Sequence, residues 1–122
     1  MFHTLFANCL LVENFDNSLH FYRDILGLEV NNQDGHFADF KLNGTSLAIF
    51  QKSDAIAMFP EKYMGNGGGI VLGFQVSNVQ TAWDELKKNG VMIIEGPKTT
   101  EWGQTVAYFF DPDNNIWEVS QL

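Results

Sequence analysis

Cysteine is almost absent from this sequence of 122 residues, since Cys9 is the only one. A lone cysteine excludes an intramolecular disulfide and the paired-cysteine motifs of redox and zinc sites. Long apolar runs are also missing: the longest one near the N-terminus, Cys9-Leu10-Leu11-Val12, is closed by Glu13. That run is too short for a membrane span and does not have the form of a signal peptide. We therefore expect a cytoplasmic protein with no membrane partner.

Basic residues are few. Seven lysines and arginines stand against fifteen acidic residues, which gives a formal net charge of −8. The cations are scattered along the chain, with Lys87-Lys88 as the one adjacent pair. Because nucleic-acid binding needs a clustered basic face, we expect no nucleic-acid partner. An acidic balance commonly serves solubility, and its functional interpretation is attraction for cationic ligands.

The residues that are present predict a folded domain. Hydrophobic residues make up 45% of the sequence, and eleven residues are phenylalanine. This is enough for one core, so we expect a single domain over residues 1–122. Periodicity predicts a strand at 5–13, a helix at 16–26 that ends at Gly27, and strands at 28–32, 36–42 and 46–51. Turn residues lie at 32–35 and at Asn43-Gly44.

The same order of elements then starts again. After a less regular bridge at 52–68, with a short helical turn at 55–63, the pattern predicts a strand at 70–77 and a helix capped by Asn78. Strands at 91–94, 103–111 and 115–121 follow. We interpret this repeat as an α+β fold of two β-α-β-β-β modules, about 4–52 and 69–121. The modules would form a curved mixed sheet around a concave cavity, with the helices outside.

Three stretches together resemble a known superfamily. They are Val12-Glu13-Asn14 with Ser18-Leu19-His20-Phe21-Tyr22-Arg23-Asp24-Ile25-Leu26-Gly27-Leu28, then Phe74-Gln75-Val76-Ser77-Asn78-Val79, and Trp102-Gly103 through Phe110-Asp111-Pro112-Asp113-Asn114 to Glu118-Val119. The chain resembles the vicinal oxygen chelate superfamily of glyoxalase I, bleomycin-resistance proteins and extradiol dioxygenases. This resemblance covers nearly the whole chain and implies the paired-module fold. It implies no single reaction, because the fold hosts many.

The resemblance also locates four positions that bind one divalent ion in the metal-dependent members. Here they hold Ala7, Ala48, Val71 and Glu118, so one ligand of the four is present. Alanine and valine have no lone pairs to offer, and divalent ions need several oxygen or nitrogen donors. We therefore expect no metal and no other cofactor, with a divalent metal as the alternative.

Metal-free members of the superfamily sequester small molecules, commonly in a groove between the two chains of a dimer. By resemblance we expect a homodimer that holds an aromatic or cationic ligand in a hydrophobic, acidic cavity. Aromatic side chains would stack on flat ligand rings. The candidate lining residues are Trp102, Phe37, Phe40, Phe50, Phe74 and Tyr108, with His36 as a further candidate at the start of a strand.

Glu118 is the candidate for chemistry. If it faces the cavity, strand alternation places Ile116 and Ser120 on the same face and turns Trp117 and Val119 toward a helix. It would then contact a cationic ligand or act as a general base. Cys9 shares its strand face with Ala7 and Leu11, so one interpretation places it toward the cavity. Since no histidine is recognisably placed to activate it, we expect it to be a small buried apolar residue.

Three functions are therefore open. The first is a metal-free small-molecule-binding protein. The alternative is an enzyme of the superfamily, a lyase, isomerase or dioxygenase that uses Glu118 as a base or as a residual metal ligand. The third is an accessory subunit whose cavity has closed over with side chains.

Overall fold

The computed structural model describes residues 1–121, which separate into two compact units, Met1–Gly65 and the part from Asn66 onward. The first unit contains β1 (Ala7–Val12), α1 (Phe15–Leu19), β2 (Glu29–Asp34), β3 (Phe37–Lys41), β4 (Ser46–Gln51) and α2 (Lys52–Ala55). The second contains β5 (Val71–Gln75), α3 (Val79–Lys88), β6 (Ile93–Thr99), β7 (Thr105–Phe110) and β8 (Ile116–Gln121). A π-helical segment, His20–Ile25, continues α1, and a 3₁₀ turn spans Glu61–Tyr63.

The first unit is a four-stranded mixed sheet in the order β1-β4-β3-β2. Strand β1 runs parallel to β4, and the other pairs are antiparallel. The helical segment covers one face, where Phe15 and Tyr22 pack with Val12 and Ile49 in a core that excludes water. The side chain of Asn14 caps α1 by accepting a hydrogen bond from the Asn17 amide at 3.0 Å.

The second unit repeats this plan as a four-stranded sheet in the order β5-β8-β7-β6. Its helix α3 begins where Asn78 accepts a hydrogen bond from the Thr81 amide at 2.9 Å. Beneath the helix, Trp117 is buried and lies stacked on Phe74, with ring centroids 4.5 Å apart. The ring of Phe109 stacks on the same indole at 6.5 Å, so three aromatic rings form the centre of this core.

The α+β class and the two β-α-β-β-β modules are confirmed, and each module builds a four-stranded sheet of its own. Two local expectations are wrong. Strand β2 continues through Asp34, so the predicted turn at 32–35 is shifted to Gly35-His36. Strand β6 extends to Thr99 because register shifts between Ile93 and Lys98 accommodate Gly96 and Pro97 within the strand. Among the described residues, no helix is both long and apolar enough to cross a membrane.

Candidate functional site

One face of the first sheet forms a wall of apolar side chains. Leu11, Phe50 and Phe37 are register partners on β1, β4 and β3. Since strand side chains alternate, they point away from the helix-covered face that holds Val12 and Ile49. The rings of Phe37 and Phe50 meet edge to face, with centroids 6.0 Å apart. These half-buried side chains lie in the concave part of the unit.

The segment that follows β4 supplies the opposite wall. Met58, Phe59, Tyr63 and Met64 face the sheet across a cavity of about 660 Å³. Tyr63 is 72% exposed and Phe59 48%, so much of this wall is open to solvent. The segment is held at its end by Lys52, whose Nζ donates a hydrogen bond to the Gly65 carbonyl at 3.0 Å. Sequence reasoning missed this wall, because the only candidates among the described residues that line the cavity were Phe37 and Phe50, which both belong to the sheet.

Cys9 lies on the floor of this cavity, next to Leu11 on β1. The residue as a whole is exposed, so the expectation of a buried apolar role is wrong. The reason is that Cys9 shares the cavity-facing side of β1, where no core covers it. Partial burial among the apolar walls raises the pKa of the Cys9 thiol above its ordinary value. The shift favours the protonated thiol, and Cys9, as the only cysteine of the sequence, can report on access to the cavity.

The other two candidates in this unit lie elsewhere. The Nδ1 atom of His36 is 2.9 Å from an Asp54 carboxylate oxygen and 3.1 Å from Gln51 Nε2. Phe40 is buried against Tyr22, with ring centroids 5.9 Å apart, and it also borders a separate shallow cleft at the β3–β4 turn. Asp34, at the end of β2, is the one charged side chain in the described lining of the apolar cavity.

The second unit has a smaller, polar pocket on the face of its sheet away from α3. Its volume is about 320 Å³, and Glu118 and Ser120 line it together. The buried residues Trp117 and Val119 point to the opposite face, as the alternation along β8 predicts. Ile116, which was expected on the pocket face, is not among the described residues that line the pocket. The rest of the lining is Gly73, Phe74, Gln75, Gln104 and Gln121.

Tyr108 stands opposite Glu118 across the β7–β8 pair. Its hydroxyl donates a long hydrogen bond of 3.4 Å to Glu118 Oε1. Burial, and then the negative charge and hydrogen bond of Glu118, raise the pKa of Tyr108 above its ordinary value. The phenol therefore stays protonated at neutral pH and remains a donor to the carboxylate. Lys98 lies over the Tyr108 ring, 5.8 Å from its centroid.

Trp102 lies in the loop between β6 and β7 and is 75% exposed. Its indole Nε1 donates a hydrogen bond of 2.9 Å to Gln104 Oε1, and the Gln104 amide nitrogen donates in turn to the Ser120 hydroxyl. This chain of contacts connects the exposed ring to Gln104 and Ser120, which line the polar pocket. Phe74, another candidate, stacks on Trp117 and contributes to the pocket edge.

The four positions that resemble metal ligands do not fit a metal ion. Glu118 is paired in register with Gly73, and Ala48 with Cys9. Ala7, Ala48 and Val71 carry no donor atoms on their side chains. Within residues 1–121, no group of three or more histidine, cysteine, aspartate or glutamate side chains is placed to hold a metal ion. A single carboxylate is a poor site for a divalent ion.

This fold is found in known proteins. The structure matches that of a glyoxalase/bleomycin resistance protein/dioxygenase from Nocardioides with a TM-score of 0.83 and 23% sequence identity, covering 98% of this chain and 83% of that one. The uncharacterized protein YraH of Bacillus subtilis is 29% identical over 120 residues, 93% of this chain and 94% of that protein. A probable lactoylglutathione lyase of Synechocystis sp. is 30% identical over 129 residues, 99% of this chain and 94% of that protein.

The two β-α-β-β-β modules and these similarities assign the chain to the vicinal oxygen chelate superfamily. The family model of the glyoxalase-like domain matches residues 5–122. The chain belongs to this glyoxalase-like domain family.

Proposed function

We propose that this protein is a small-molecule-binding protein that holds an aromatic ligand, without a metal, in the apolar cavity of its first unit. The observation that carries the proposal is the cavity itself, about 660 Å³ between one sheet face and the segment that follows β4. Its size lies in the ordinary range of small-molecule sites, roughly 300–1,000 Å³.

The chemistry of the walls indicates the class of ligand. Phe37, Phe50, Phe59 and Tyr63 offer ring faces and edges on both sides of the cavity. Flat apolar rings pack well against such surfaces, by stacking or edge-to-face contact. Met58 and Met64 add polarisable, adaptable side chains that follow the outline of different ligands. Asp34 at the edge favours a ligand that is neutral or carries a cationic substituent.

The absence of donor atoms at Ala7, Ala48 and Val71 supports the metal-free part of the proposal. We also place the protein in the cytoplasm as a homodimer. The lone cysteine fits a reducing compartment, and the resemblance to ligand-sequestering members favours a dimer. Light scattering of the purified protein measures its assembly state.

The proposal predicts that an aromatic ligand protects Cys9 from alkylation. Cys9 is the only cysteine and lies inside the cavity, so its modification reports cavity access without background. A neutral phenylnaphthylamine dye, which fluoresces in apolar surroundings, should bind and slow the reaction of Cys9 with iodoacetamide. At a dye concentration ten times the dissociation constant, the rate should fall about tenfold. The reaction is followed by mass spectrometry at mildly alkaline pH, because the thiolate is the reacting form.

A matched pair of variants tests whether the dye binds in the apolar cavity. Leu11→Glu introduces a charge beside Cys9, and it should abolish both the fluorescence and the protection. Leu5→Glu, at an exposed leucine outside the cavity, should leave both unchanged. Dye fluorescence with no protection of Cys9 would place the dye elsewhere and contradict the proposal.

A second candidate function is catalysis by Glu118. Two observations favour it: the Tyr108 hydroxyl donates to Glu118 in a concave pocket, and a relative with 30% identity over 99% of this chain is named a probable lactoylglutathione lyase. A carboxylate can remove a proton from the carbon beside a carbonyl group and return it to the neighbouring carbon.

This candidate predicts that the purified protein converts the adduct of a 2-oxoaldehyde and a thiol, and that Glu118→Gln reduces the rate by at least about a hundredfold. Glutamine keeps the shape of the side chain but cannot take a proton. Product formation is measured by absorbance, with and without a chelator. If the wild-type protein gives no turnover, or if Glu118→Gln keeps full activity, Glu118 is not the base.

A further inference from the structure

We infer that the polar pocket of the second unit is a separate, metal-independent binding site for an organic cation, with an ammonium or amidinium group on the Glu118 carboxylate. The site lies within the unit that begins at Asn66 and shares no lining residue with the apolar cavity. A test of it is therefore independent of the proposed binding of an aromatic ligand in the apolar cavity.

The first step is the charge of Glu118. The side chain is half-buried in the pocket, and it makes no ion pair with a lysine, arginine or histidine in the part of the chain that the structure describes. Lys98, on the neighbouring part of the sheet, is already ion-paired with Glu95 at 2.9 Å. A carboxylate that is partly removed from water and lacks a cation gains more from a bound cation than an exposed carboxylate does.

The second step concerns the two carboxylate oxygens of Glu118, which have different surroundings. Its Oε1 atom accepts the hydrogen bond from Tyr108. Its Oε2 atom lies toward Gly73, where a Cβ atom would be 3.5 Å away. Because residue 73 has no side chain, no Cβ atom stands against Oε2 on this side of the carboxylate. The glycine thus leaves room for a ligand group beside Oε2.

The third step concerns Trp102, the exposed aromatic residue that contacts the lining of the pocket. Gln104 holds Trp102 through the indole Nε1 and also contacts Ser120, which lies two residues from Glu118 on the same face of β8. Successive positions on one strand face are about 7 Å apart, which is the scale of a small aromatic cation. Carboxylates recognise organic cations through charge, and aromatic rings recognise them through the negative face of the ring. The Trp102 indole, connected to the lining through Gln104, would be the ring available to such a ligand.

The same pocket is unsuited to a divalent metal. The other polar lining groups are the side-chain amides of Gln75, Gln104 and Gln121 and one hydroxyl. Gln121 already accepts a hydrogen bond from the Val79 amide at the start of α3, and Gln104 is engaged with Trp102 and Ser120. A divalent ion needs several free donors at fixed positions, whereas an organic cation needs one carboxylate and a surface to pack on.

Benzamidinium and benzamide test the inference as an isosteric pair that differs in charge. Titrations of the full chain are followed by amide chemical shifts in nuclear magnetic resonance, in the presence of a chelator. Benzamidinium should bind at least about tenfold more tightly than benzamide, a difference of about 1.4 kcal/mol. The shifts should centre on residues 73–75 and 118–120, and added salt should weaken binding.

Three variants make the test specific. Glu118→Gln should remove the preference for benzamidinium, and Gly73→Ala, which keeps the charge but places a methyl group by Oε2, should weaken it. Glu85→Gln removes the same charge from an exposed position on α3 and should leave the preference intact. Equal binding of the two compounds, an unchanged preference in Glu118→Gln, or shifts confined to the acidic surface around Glu95 would overturn the inference.

Discussion

A Cys9→Trp variant should remain folded and lose its affinity for a neutral phenylnaphthylamine dye by at least about thirtyfold, roughly 2 kcal/mol. The side chain at position 9 points into the apolar cavity beside Leu11 and Phe50. An indole at this position would occupy the space between the sheet and Phe59, where the aromatic ligand is proposed to lie. The ligand would then have to displace a side chain that is already packed against the same walls.

Stability gives this variant its own control. Because Cys9 faces a cavity and not the close-packed core, the larger side chain should raise the free energy of unfolding by up to about 1 kcal/mol or leave it unchanged. Cys9→Ala should keep dye affinity within about twofold, since it removes only the thiol. Urea unfolding and dye titration check both variants. Undiminished dye binding by a folded Cys9→Trp protein would show that the cavity is not the binding site.

Both modules of the fold could be predicted from the sequence, because each carries the same local signals. Asn14 and Asn78 cap their helices. Their side-chain oxygens accept hydrogen bonds from the backbone amides of Asn17 at 3.0 Å and Thr81 at 2.9 Å, respectively. Caps and hydrophobic periodicity are local signals, so both modules could be recognised one at a time. The later half of the first helix is different, because the Leu26 amide donates to the carbonyl of Phe21, five residues back, and the π-helical form has no sequence signal of this kind.

The two candidate sites also differ in how far the sequence predicts them. The orientations of Glu118, Ser120 and Trp117 are predictable from strand alternation, but Ile116, which alternation assigns to the pocket face, is not among the described lining residues. The apolar cavity is not, because Met58, Phe59 and Tyr63 belong to a segment with no counterpart in the second module. That segment reaches the sheet through tertiary packing and the Lys52–Gly65 hydrogen bond, contacts that depend on the whole unit.

The turn between β7 and β8 should carry the largest effect on stability. Asp111 is buried, and its Oδ1 atom accepts hydrogen bonds from the amides of Asp113 at 2.9 Å and Asn115 at 2.8 Å. Its Oδ2 atom accepts from Asn115 Nδ2 at 2.8 Å. Asp111→Ala leaves these buried donors without this acceptor, so it should lower the free energy of unfolding by about 3–5 kcal/mol.

Two further variants serve as comparisons for the loss of unfolding free energy in Asp111→Ala. They are Asp111→Asn and Asp84→Ala. The asparagine keeps one oxygen for the two backbone amides but turns an amide group toward Asn115, and it should cost about 1–2 kcal/mol. Asp84 is exposed on α3, and its replacement by alanine should change stability by less than about 0.5 kcal/mol. Urea unfolding monitored by circular dichroism gives all three values. Equal losses for Asp111→Ala and Asp84→Ala would contradict the structural role of the turn.

The turn also determines which face of the sheet carries Glu118. Its register pairs Phe110 with Ile116 and therefore Tyr108 with Glu118. A slip of one residue would turn Glu118 toward α3 and Trp117 toward the pocket, because side chains alternate along the strand. In folded Asp111→Asn protein, the cross-strand nuclear Overhauser contact between Tyr108 and Glu118 should persist if the remaining oxygen holds the turn. The Asp-Pro-Asp-Asn-Asn segment thus acts on the site from a distance, by fixing the register that presents the carboxylate.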